Sequence, residues 1–327
     1  MKKRQFIFFF FLSIFVGDIL AQFDAQFSQY MENQAAMNPG AIAENEMLNL
    51  FGVYRQQWAG FKRAPSEMFF SINAPVSIAE TNHGIGLSFL NENIGLFKNQ
   101  SVLLQYSYKM QLFDGVLGLG LNIGFMNQIF DQSGADPTGG GGQDGDDYHN
   151  QNDPGVPKVV DNDIAFDAGV GAFFSNKEMF VGLSVLHLTA PKMDYEGSAI
   201  LYVPRIFYLT GGYNISLSNP LYLLKPSTLL KTDFRSYQIE LTALLEYDKK
   251  IQGGISYRLD DAVVFMVGIS LFSGLYAAYS YDLPTSKMIA SGGSHEISLR
   301  YSFKPEFPRK TRSLTDRILF YKTKEAN

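Results

Sequence analysis

Two neighbouring stretches, QSVLLQYSYKMQ at residues 100–111 and GVLGLGLNIGFMNQ at residues 115–128, decide the fold class. In the second stretch large apolar side chains alternate with glycine or asparagine, and in the first they alternate mainly with serine, glutamine and lysine. A period of two is typical of β-strands, because successive side chains point to opposite faces. Phe113, Asp114 and Gly115 supply a tight turn, so the two stretches are predicted to form a hairpin.

The length of these two strands separates two kinds of β protein. Each is about ten residues or longer, whereas strands of soluble sheets usually have five or six. A soluble sandwich would turn the apolar face inward, and the hairpin alone leaves that alternative open. Ten-residue strands joined by short turns are what a transmembrane β-barrel needs.

The N-terminus predicts a secretory signal peptide, residues 1–21, cleaved near Ala21. Three basic residues at positions 2–4 precede an apolar segment, residues 6–16, that is too short to span a bilayer comfortably. No later segment approaches 18 consecutive apolar residues, so a mature membrane protein would have to cross as a barrel. The predicted location is therefore a bacterial outer membrane.

The rest of the chain predicts an all-β protein, a transmembrane antiparallel barrel of about 14 strands between residues 48 and 303. Residues 22–47 lack alternation and are expected to form an N-terminal arm folded into the barrel mouth. Residues 304–327 carry seven basic side chains, and an even strand count places this tail and both chain ends in the periplasm. The predicted strands are 48–58, 65–74, 83–91, 100–111, 115–128, 163–174, 179–186, 205–215, 222–230, 237–247, 251–258, 262–270, 275–281 and 294–303.

Long connections are expected on the extracellular side. The largest is the Gly- and Asp-rich insert at residues 131–161, predicted to be a solvated loop, with calcium binding through its carboxylates as the alternative. Its acidic residues do not have the spacing of an EF-hand. Three further outer loops are predicted at residues 60–64, 92–99 and 187–204.

Alternation also assigns a lumen face and a lipid face. Charges of both signs turn inward, so an occluded barrel is predicted, although porins also carry both signs and an open pore stays possible. We expect a lumen ion-pair network across the seam between the last strands and the first. Its predicted members are Arg55, Glu240, Arg258, Asp282, Glu296 and Arg300. Aromatic residues near strand ends are expected to lie at the membrane interface: Tyr54, Trp58, Tyr279 and Tyr281.

Features of enzymes and of nucleic-acid-binding proteins are sparse. The sequence has no cysteine, which excludes disulfides and thiolate metal sites. The four histidines, His83, His149, His187 and His295, lack metal-ligand spacing. No partnered nucleophile, phosphate-binding loop or basic stripe is visible. A non-enzymatic protein without cofactor, metal or nucleic-acid partner is therefore predicted.

Several ordered motifs resemble one family. QFSQYM at residues 26–31, NP at 38–39 and YRQQW at 54–58 resemble the opening of the PorP/SprF family. Similar stretches follow in the same order toward the C-terminus: VGLS at 181–184, LKPS at 224–227, YSYD at 279–282 and GGSHEI at 292–297. Each motif is weak alone, but the ordered set covers nearly all of the predicted mature chain.

The resemblance implies an outer-membrane barrel of the Bacteroidota type IX secretion and gliding motility apparatus. It implies that the barrel anchors a secreted, adhesin-like surface protein with a type B C-terminal domain and contacts periplasmic or lipoprotein components of that machinery. A passive channel for small solutes is the alternative function. Because aromatic and aliphatic side chains contribute most interface energy, the predicted cargo contacts are four residues of one outer loop: Leu188, Met193, Tyr195 and Ile200.

Overall fold

A computed structural model describes residues 24–45, 47–130, 161–194, 200–272 and 274–304. The predicted signal peptide, nearly all of the insert at residues 131–161 and the tail beyond residue 304 lie outside this range. No helix among the described residues is long and apolar enough to cross a membrane.

The described residues form a closed antiparallel barrel of 14 strands, as predicted. Neighbouring strands pair in chain order, and the wall closes where the first strand pairs with the last. A small hairpin, β8 (Lys192–Asp194) with β9 (Ile200–Tyr202), lies outside the wall, and β11 (Ile215–Ser216) pairs only with the strand that follows it in the chain. The barrel strands are β1 (Leu48–Gln56), β2 (Ser66–Ile78), β3 (Thr81–Ile94), β4 (Phe97–Leu112), β5 (Gly115–Phe130), β6 (Asp161–Ser175), β7 (Met179–Leu186), β10 (Ile206–Tyr213), β12 (Tyr222–Thr232), β13 (Tyr237–Tyr247), β14 (Ile251–Arg258), β15 (Ala262–Phe272), β16 (Leu275–Pro284) and β17 (Ser294–Phe303).

One predicted outer loop, residues 92–99, is instead the tip of a long hairpin. β3 and β4 are joined by only Gly95 and Leu96, and Gly95 adopts the left-handed backbone conformation that such a turn requires. Glu92 accepts a hydrogen bond from the Asn99 side chain across the hairpin, at 2.6 Å. The hairpin is polar there because its strands, of 14 and 16 residues, are longer than the nine to eleven that cross a bilayer. The ends therefore extend into water.

The outer face of the wall is apolar, and the inner face is polar. On β5, Leu121 and Ile123 are exposed on the outside, whereas Asn122 between them is buried in the lumen. On β13, Leu241 and Leu245 face outward, while Glu240 is fully buried inside. This alternation is the one expected of a barrel whose outer face contacts lipid.

The two ends of the barrel differ in the length of their connections. One end has turns of two or three residues at 79–80, 113–114, 176–178 and 248–250. The opposite end carries the long connections, including residues 131–160 and 187–205. Because outer-membrane barrels have short periplasmic turns and longer extracellular loops, the second end is the extracellular one.

The chain before β1 runs through the lumen along its whole length, further than the predicted position in the mouth. It starts at the extracellular end with Asp24 and reaches the periplasmic end at Asn45. Within this arm, residues 24–45, lie a 3-10 turn (Tyr30–Glu32), one helical turn (Gln34–Met37) and a second 3-10 turn (Pro39–Ala41). The barrel core is therefore packed around the arm. Tyr30 and Met37, for example, pack with four wall residues, Leu186, Ile206, Tyr208 and Leu229.

Candidate functional site

The extracellular half of the lumen contains a buried cluster of charges centred on two arginines. Arg55 on β1 places Nη2 2.7 Å from Asp282 Oδ2 and Nη1 3.3 Å from Glu296 Oε2. Its Nε lies 3.5 Å from Glu67 Oε2. All four side chains are almost completely buried. Buried charges are tolerated only when they are paired and hydrogen-bonded. Arg55 meets that condition through Asp282 and Glu296, and Glu67 accepts a hydrogen bond from the Gln57 side chain.

Arg258 on β14 completes the cluster from the other side. Its Nε donates to Glu240 Oε2 at 2.9 Å, and its Nη1 donates to Asp282 Oδ2 at 2.9 Å. Asp282 therefore lies between the two guanidinium groups. We call Arg55, Glu67, Glu240, Arg258, Asp282 and Glu296 the ionic cluster.

The arm supplies the centre of the ionic cluster through Ser28. The Ser28 hydroxyl donates to Asp282 at 2.8 Å and accepts from Arg55 Nη1 at 2.8 Å and Arg258 Nη2 at 3.0 Å. Both oxygens of Glu296 accept from arm backbone, from the N–H groups of Ser28 at 2.8 Å and Gln29 at 2.9 Å. The arm is therefore held by the same charges that hold the seam of the barrel.

The structure brings together five of the six residues proposed for the lumen network. Arg300 is the exception: it lies nearer the periplasmic end, pairs with Glu32 of the arm at 2.6 Å and packs over the Tyr276 ring. Glu67 and Ser28 were not among the predicted members. Strand alternation could have identified Glu67, because it lies two and four positions before Phe69 and Ser71 on β2 and points to the same inner face. Nothing in the pattern of residues 22–47 identifies Ser28.

A second polar contact holds the first described residue of the arm. Asp24 accepts a hydrogen bond from the Tyr208 hydroxyl, and its backbone carbonyl accepts from Lys231 Nζ at 2.8 Å. His187, just beyond β7, lies with Nε2 3.9 Å from Asp24 Oδ2 and Nδ1 2.8 Å from Asp167 Oδ2. The imidazole thus bridges a carboxylate of the arm and one of the wall.

Asp24 and His187, which both lie outside the strands, have shifted pKa values. Burial alone would raise the pKa of Asp24, but the contact with His187 and the charge of Lys231 outweigh burial and lower it well below the usual value. Burial alone would lower the pKa of His187, yet its hydrogen bond to Asp167 and the nearby Asp24 carboxylate raise it to about 10. At neutral pH His187 is therefore protonated and Asp24 is ionised.

The periplasmic half of the arm lies in a groove formed by glycines of the wall. A side-chain carbon added at Gly118 or Gly120 would overlap the backbone of Pro39 and Gly40, and one at Gly84 would lie 2.7 Å from the Ile42 carbonyl oxygen. Polar wall groups also contact this part of the arm; Lys109 Nζ, for example, donates to the Gly40 carbonyl at 2.8 Å. We call this surface the glycine groove; its members are Gly84, Gly118, Gly120, Gly171 and Gly182.

A cavity of about 420 Å³ occupies the periplasmic half of the lumen on the other side, between β12 and β17. Its wall includes two ion pairs, Lys225 with Glu246 at 2.5 Å and Arg300 with Glu32 at 2.6 Å. Met31 and Glu32 of the arm also line it. We call this space the periplasmic cavity.

The loop residues proposed as partner contacts differ in position. Met193 on β8 is completely buried and packs against Phe130, which corrects its assignment as a direct partner contact. Leu188 is half-buried and donates its backbone N–H to Ala168. Ile200 begins β9, and Tyr195 lies outside the described residues. The loop folds back on the barrel through an apolar contact that the sequence pattern does not reveal.

The proposed interfacial aromatic residues lie near the extracellular end of the wall. Tyr54 and Tyr279 are exposed on the outer face, and the Tyr279 hydroxyl lies 2.8 Å from Nδ1 of His295. The Tyr281 ring also packs against His295. Trp58 is not part of β1, which ends at Gln56, and lies in the following loop with a positive φ.

Comparison with known proteins gives distant structural matches. The comparison with curated protein sequences found no match. The fold is similar to outer membrane protein Omp33 of Acinetobacter baumannii, with a TM-score of 0.46 and 5% identity over 79% of this chain and 98% of that one. It is also similar to a FadL homologue of Pseudomonas aeruginosa, with a TM-score of 0.44 and 13% identity over 83% of this chain and 93% of that one. The translocator domain of the autotransporter NalP from Neisseria meningitidis is similar with a TM-score of 0.42 and 14% identity, over 84% of this chain and 96% of that one.

A family match covers most of the sequence. Residues 19–301 match the family described as the type IX secretion system membrane protein PorP/SprF. The matched range contains the whole barrel except the last two residues of β17, and the whole described arm. The chain therefore belongs to the PorP/SprF family of type IX secretion system membrane proteins.

Proposed function

We propose that this barrel is a non-enzymatic anchor that holds a secreted surface protein at the extracellular end and couples it to periplasmic components of the type IX apparatus. The observation that carries the proposal is the filled lumen. The arm and the ionic cluster occupy the extracellular half with buried, mutually paired groups. A lumen filled in this way favours a scaffold that is closed at rest over the alternative of a permanently open, passive channel for small solutes.

The extracellular rim offers a fixed surface for such a partner. The loop after β1 and the loop before β17 are joined by two backbone hydrogen bonds, from Ala59 to Gly293 and from Gly292 to Ala59, both at 2.7 Å. Each loop carries an exposed apolar side chain, Phe61 at 45% and Ile289 at 70% exposure. Because the loops are already ordered, binding there would cost less conformational entropy than ordering a flexible loop.

The periplasmic end carries a different exposed group. Phe113, in the turn between β4 and β5, is 92% exposed, the highest value among the described large apolar residues. We assign it to contact with the periplasmic machinery. The cargo is a secreted protein with a type B C-terminal domain, and the partner at this end is a periplasmic or lipoprotein component of the type IX machinery.

Affinity purification with mass spectrometry tests both contacts. Epitope-tagged wild-type barrel is purified from its native cells beside a Phe61→Asp/Ile289→Asp variant and a Phe113→Asp variant. The rim variant is expected to lose the secreted protein and keep the periplasmic components, and the Phe113 variant is expected to do the reverse. If neither kind of partner is captured and the pure wild-type protein gives a stable open current in planar bilayers, the protein is a passive channel instead.

A further inference from the structure

The arm does not fill the lumen evenly. Its periplasmic part, residues 38–43, lies in the glycine groove on the side formed by β3 to β7. On the opposite side, between β12 and β17, the periplasmic cavity is left unfilled. Above this cavity, toward the extracellular end, the lumen is closed by the first part of the arm, residues 24–33, which we call the upper arm.

The upper arm therefore closes the periplasmic cavity on its extracellular side. Met31 and Glu32 line the cavity. Directly above them, the Tyr30 hydroxyl lies 2.9 Å from Ser227 Oγ and donates to Thr242 Oγ1 at 3.2 Å. The next turn of the upper arm holds Ser28 in the ionic cluster.

The wall behind the upper arm is suited to water. Small polar side chains line it, all of them buried: Thr242, Ser256, Ser280 and Ser298. Three of the four, Thr242, Ser280 and Ser298, are hydrogen-bonded to the arm. A column of hydroxyl groups of this kind is typical of a polar barrel interior. Removing the upper arm would join these groups to the periplasmic cavity and to the extracellular mouth.

The two halves of the arm are attached by different kinds of contact. The glycine groove holds residues 38–43 by close backbone packing, which leaves no room for water. The upper arm is held by hydrogen bonds to side chains, several of them charged, and by the packing of Phe27 and Tyr30 against the wall. These contacts are made with wall residues outside the glycine groove, and water can replace the polar ones. The upper arm can therefore leave its position while residues 38–43 stay seated.

From this geometry we propose that the barrel is a gated conduit, closed by the upper arm and opened when the upper arm is displaced. The conduit runs from the periplasmic cavity along the β12 to β17 wall to the extracellular mouth. The ionic cluster would line its extracellular half with four carboxylates and two guanidinium groups. Rings of excess carboxylate favour cations, so the open conduit is cation-selective.

Planar-bilayer recording tests the gate directly. The wild-type protein is expected to give no stable current, whereas a variant lacking residues 24–33 in the otherwise full chain is expected to give stable, cation-selective steps. Resistance to SDS before heating shows whether each sample contains a folded barrel. A folded deletion variant without current would overturn the proposal, and so would equal currents from the wild type and the deletion variant.

A second measurement does not depend on the deletion variant folding. The chain has no cysteine, so single introduced cysteines report their own accessibility. In the purified wild-type background, Ser270→Cys in the periplasmic cavity is expected to react quickly with a small charged maleimide, and Ser280→Cys behind the upper arm to be protected. Adding Tyr30→Gly and Met31→Gly leaves the residues of the ionic cluster intact and should raise the labelling rate of Ser280→Cys at least tenfold. An unchanged labelling rate, or rapid labelling of Ser280→Cys without these changes, would contradict the gate. Cargo binding is measured separately by co-purification, so the anchor proposal can fail or hold independently.

Discussion

Arg55 and Asp282 are 227 positions apart in the chain, yet Arg55 Nη2 lies 2.7 Å from Asp282 Oδ2 in the buried interior of the barrel. Arg55 lies on β1 and Asp282 on β16, and β17 runs between these two strands. The contact therefore crosses the seam where β1 pairs with β17. Arg258 donates to the same carboxylate, and Ser28 of the arm lies between the three groups. The Asp282 carboxylate therefore contributes both to the side-chain contacts across the seam and to the seating of the arm.

Asp282→Asn is expected to destabilise the folded barrel by about 3–5 kcal/mol, because it leaves two buried guanidinium groups short of negative charge. Urea unfolding of the purified protein measures the change. Arg300→Gln is the matched control, since the Arg300 and Glu32 pair is partly exposed and should contribute no more than about 1 kcal/mol. Equal destabilisation by the two changes would mean that burial of the cluster does not matter.

The sequence pattern was sufficient for the wall of the barrel. Period-two alternation along 14 segments gave the strand count, and four segments (179–186, 237–247, 251–258 and 294–303) have the observed bounds. Alternation also predicted that Arg55 and Asp282 point into the lumen, because the side of the sheet to which a residue points depends only on its position along its own strand.

The contents of the lumen could not be predicted in the same way. Ser28 and Asp24 lie in a segment without periodicity, and two of their partners, Asp282 and Tyr208, are 254 and 184 positions away. The glycine groove was equally hidden, because Gly118 and Gly120 fit the alternation of a strand without any reference to the arm. Residues 92–99 were wrongly predicted to be a loop, because Gly95 and the polar side chains at positions 92, 93, 98 and 99 interrupt the apolar alternation where these strands extend into water.

Gly120→Ala is expected to displace the periplasmic part of the arm, because the added methyl group would overlap the backbone of Pro39 and Gly40. Overpacking of this kind costs about 1–3 kcal/mol. Faster proteolysis within residues 34–45 of the folded protein measures the displacement. Gly211→Ala serves as control, since its added carbon would meet only the Phe180 carbonyl oxygen at 3.7 Å. Identical cleavage of both variants would show that the groove does not hold the arm.

Leu121→Arg is expected to reduce assembly into the outer membrane, because the side chain faces outward near the middle of β5. A charge at the bilayer midplane costs about 2–4 kcal/mol, and one near the interface about 0–1 kcal/mol. Phe113→Arg, in the periplasmic turn, is therefore the control. The fraction of SDS-resistant barrel in outer-membrane preparations measures assembly, and an equal fraction for both variants would contradict the assigned lipid face.

The contact between His187 and Asp24 predicts a pH dependence of stability. The pKa of His187 is raised from 6.5 to about 10, so its contribution is complete below pH 6.5 and is lost as the pH rises through 10. The pKa of Asp24 is lowered, so its contribution is present above pH 3.8 and is lost as the pH falls below that value. The melting temperature should therefore decrease from pH 6.5 to pH 10. His187→Gln should remove this slope, and a slope that persists in that variant would assign it to other groups.

Met193→Ala is expected to loosen the extracellular hairpin of β8 and β9, because Met193 is completely buried against Phe130 while its neighbours Lys192 and Asp194 are exposed. Removing a buried methionine side chain typically costs 2–5 kcal/mol. Surface proteolysis of whole cells should cleave the Met193→Ala variant within residues 187–205 faster than the wild type or Lys192→Ala. Cargo retention should fall in parallel if the rim must be ordered to bind its partner. Normal retention together with faster cleavage would place the partner contact elsewhere on the rim, at Phe61 and Ile289.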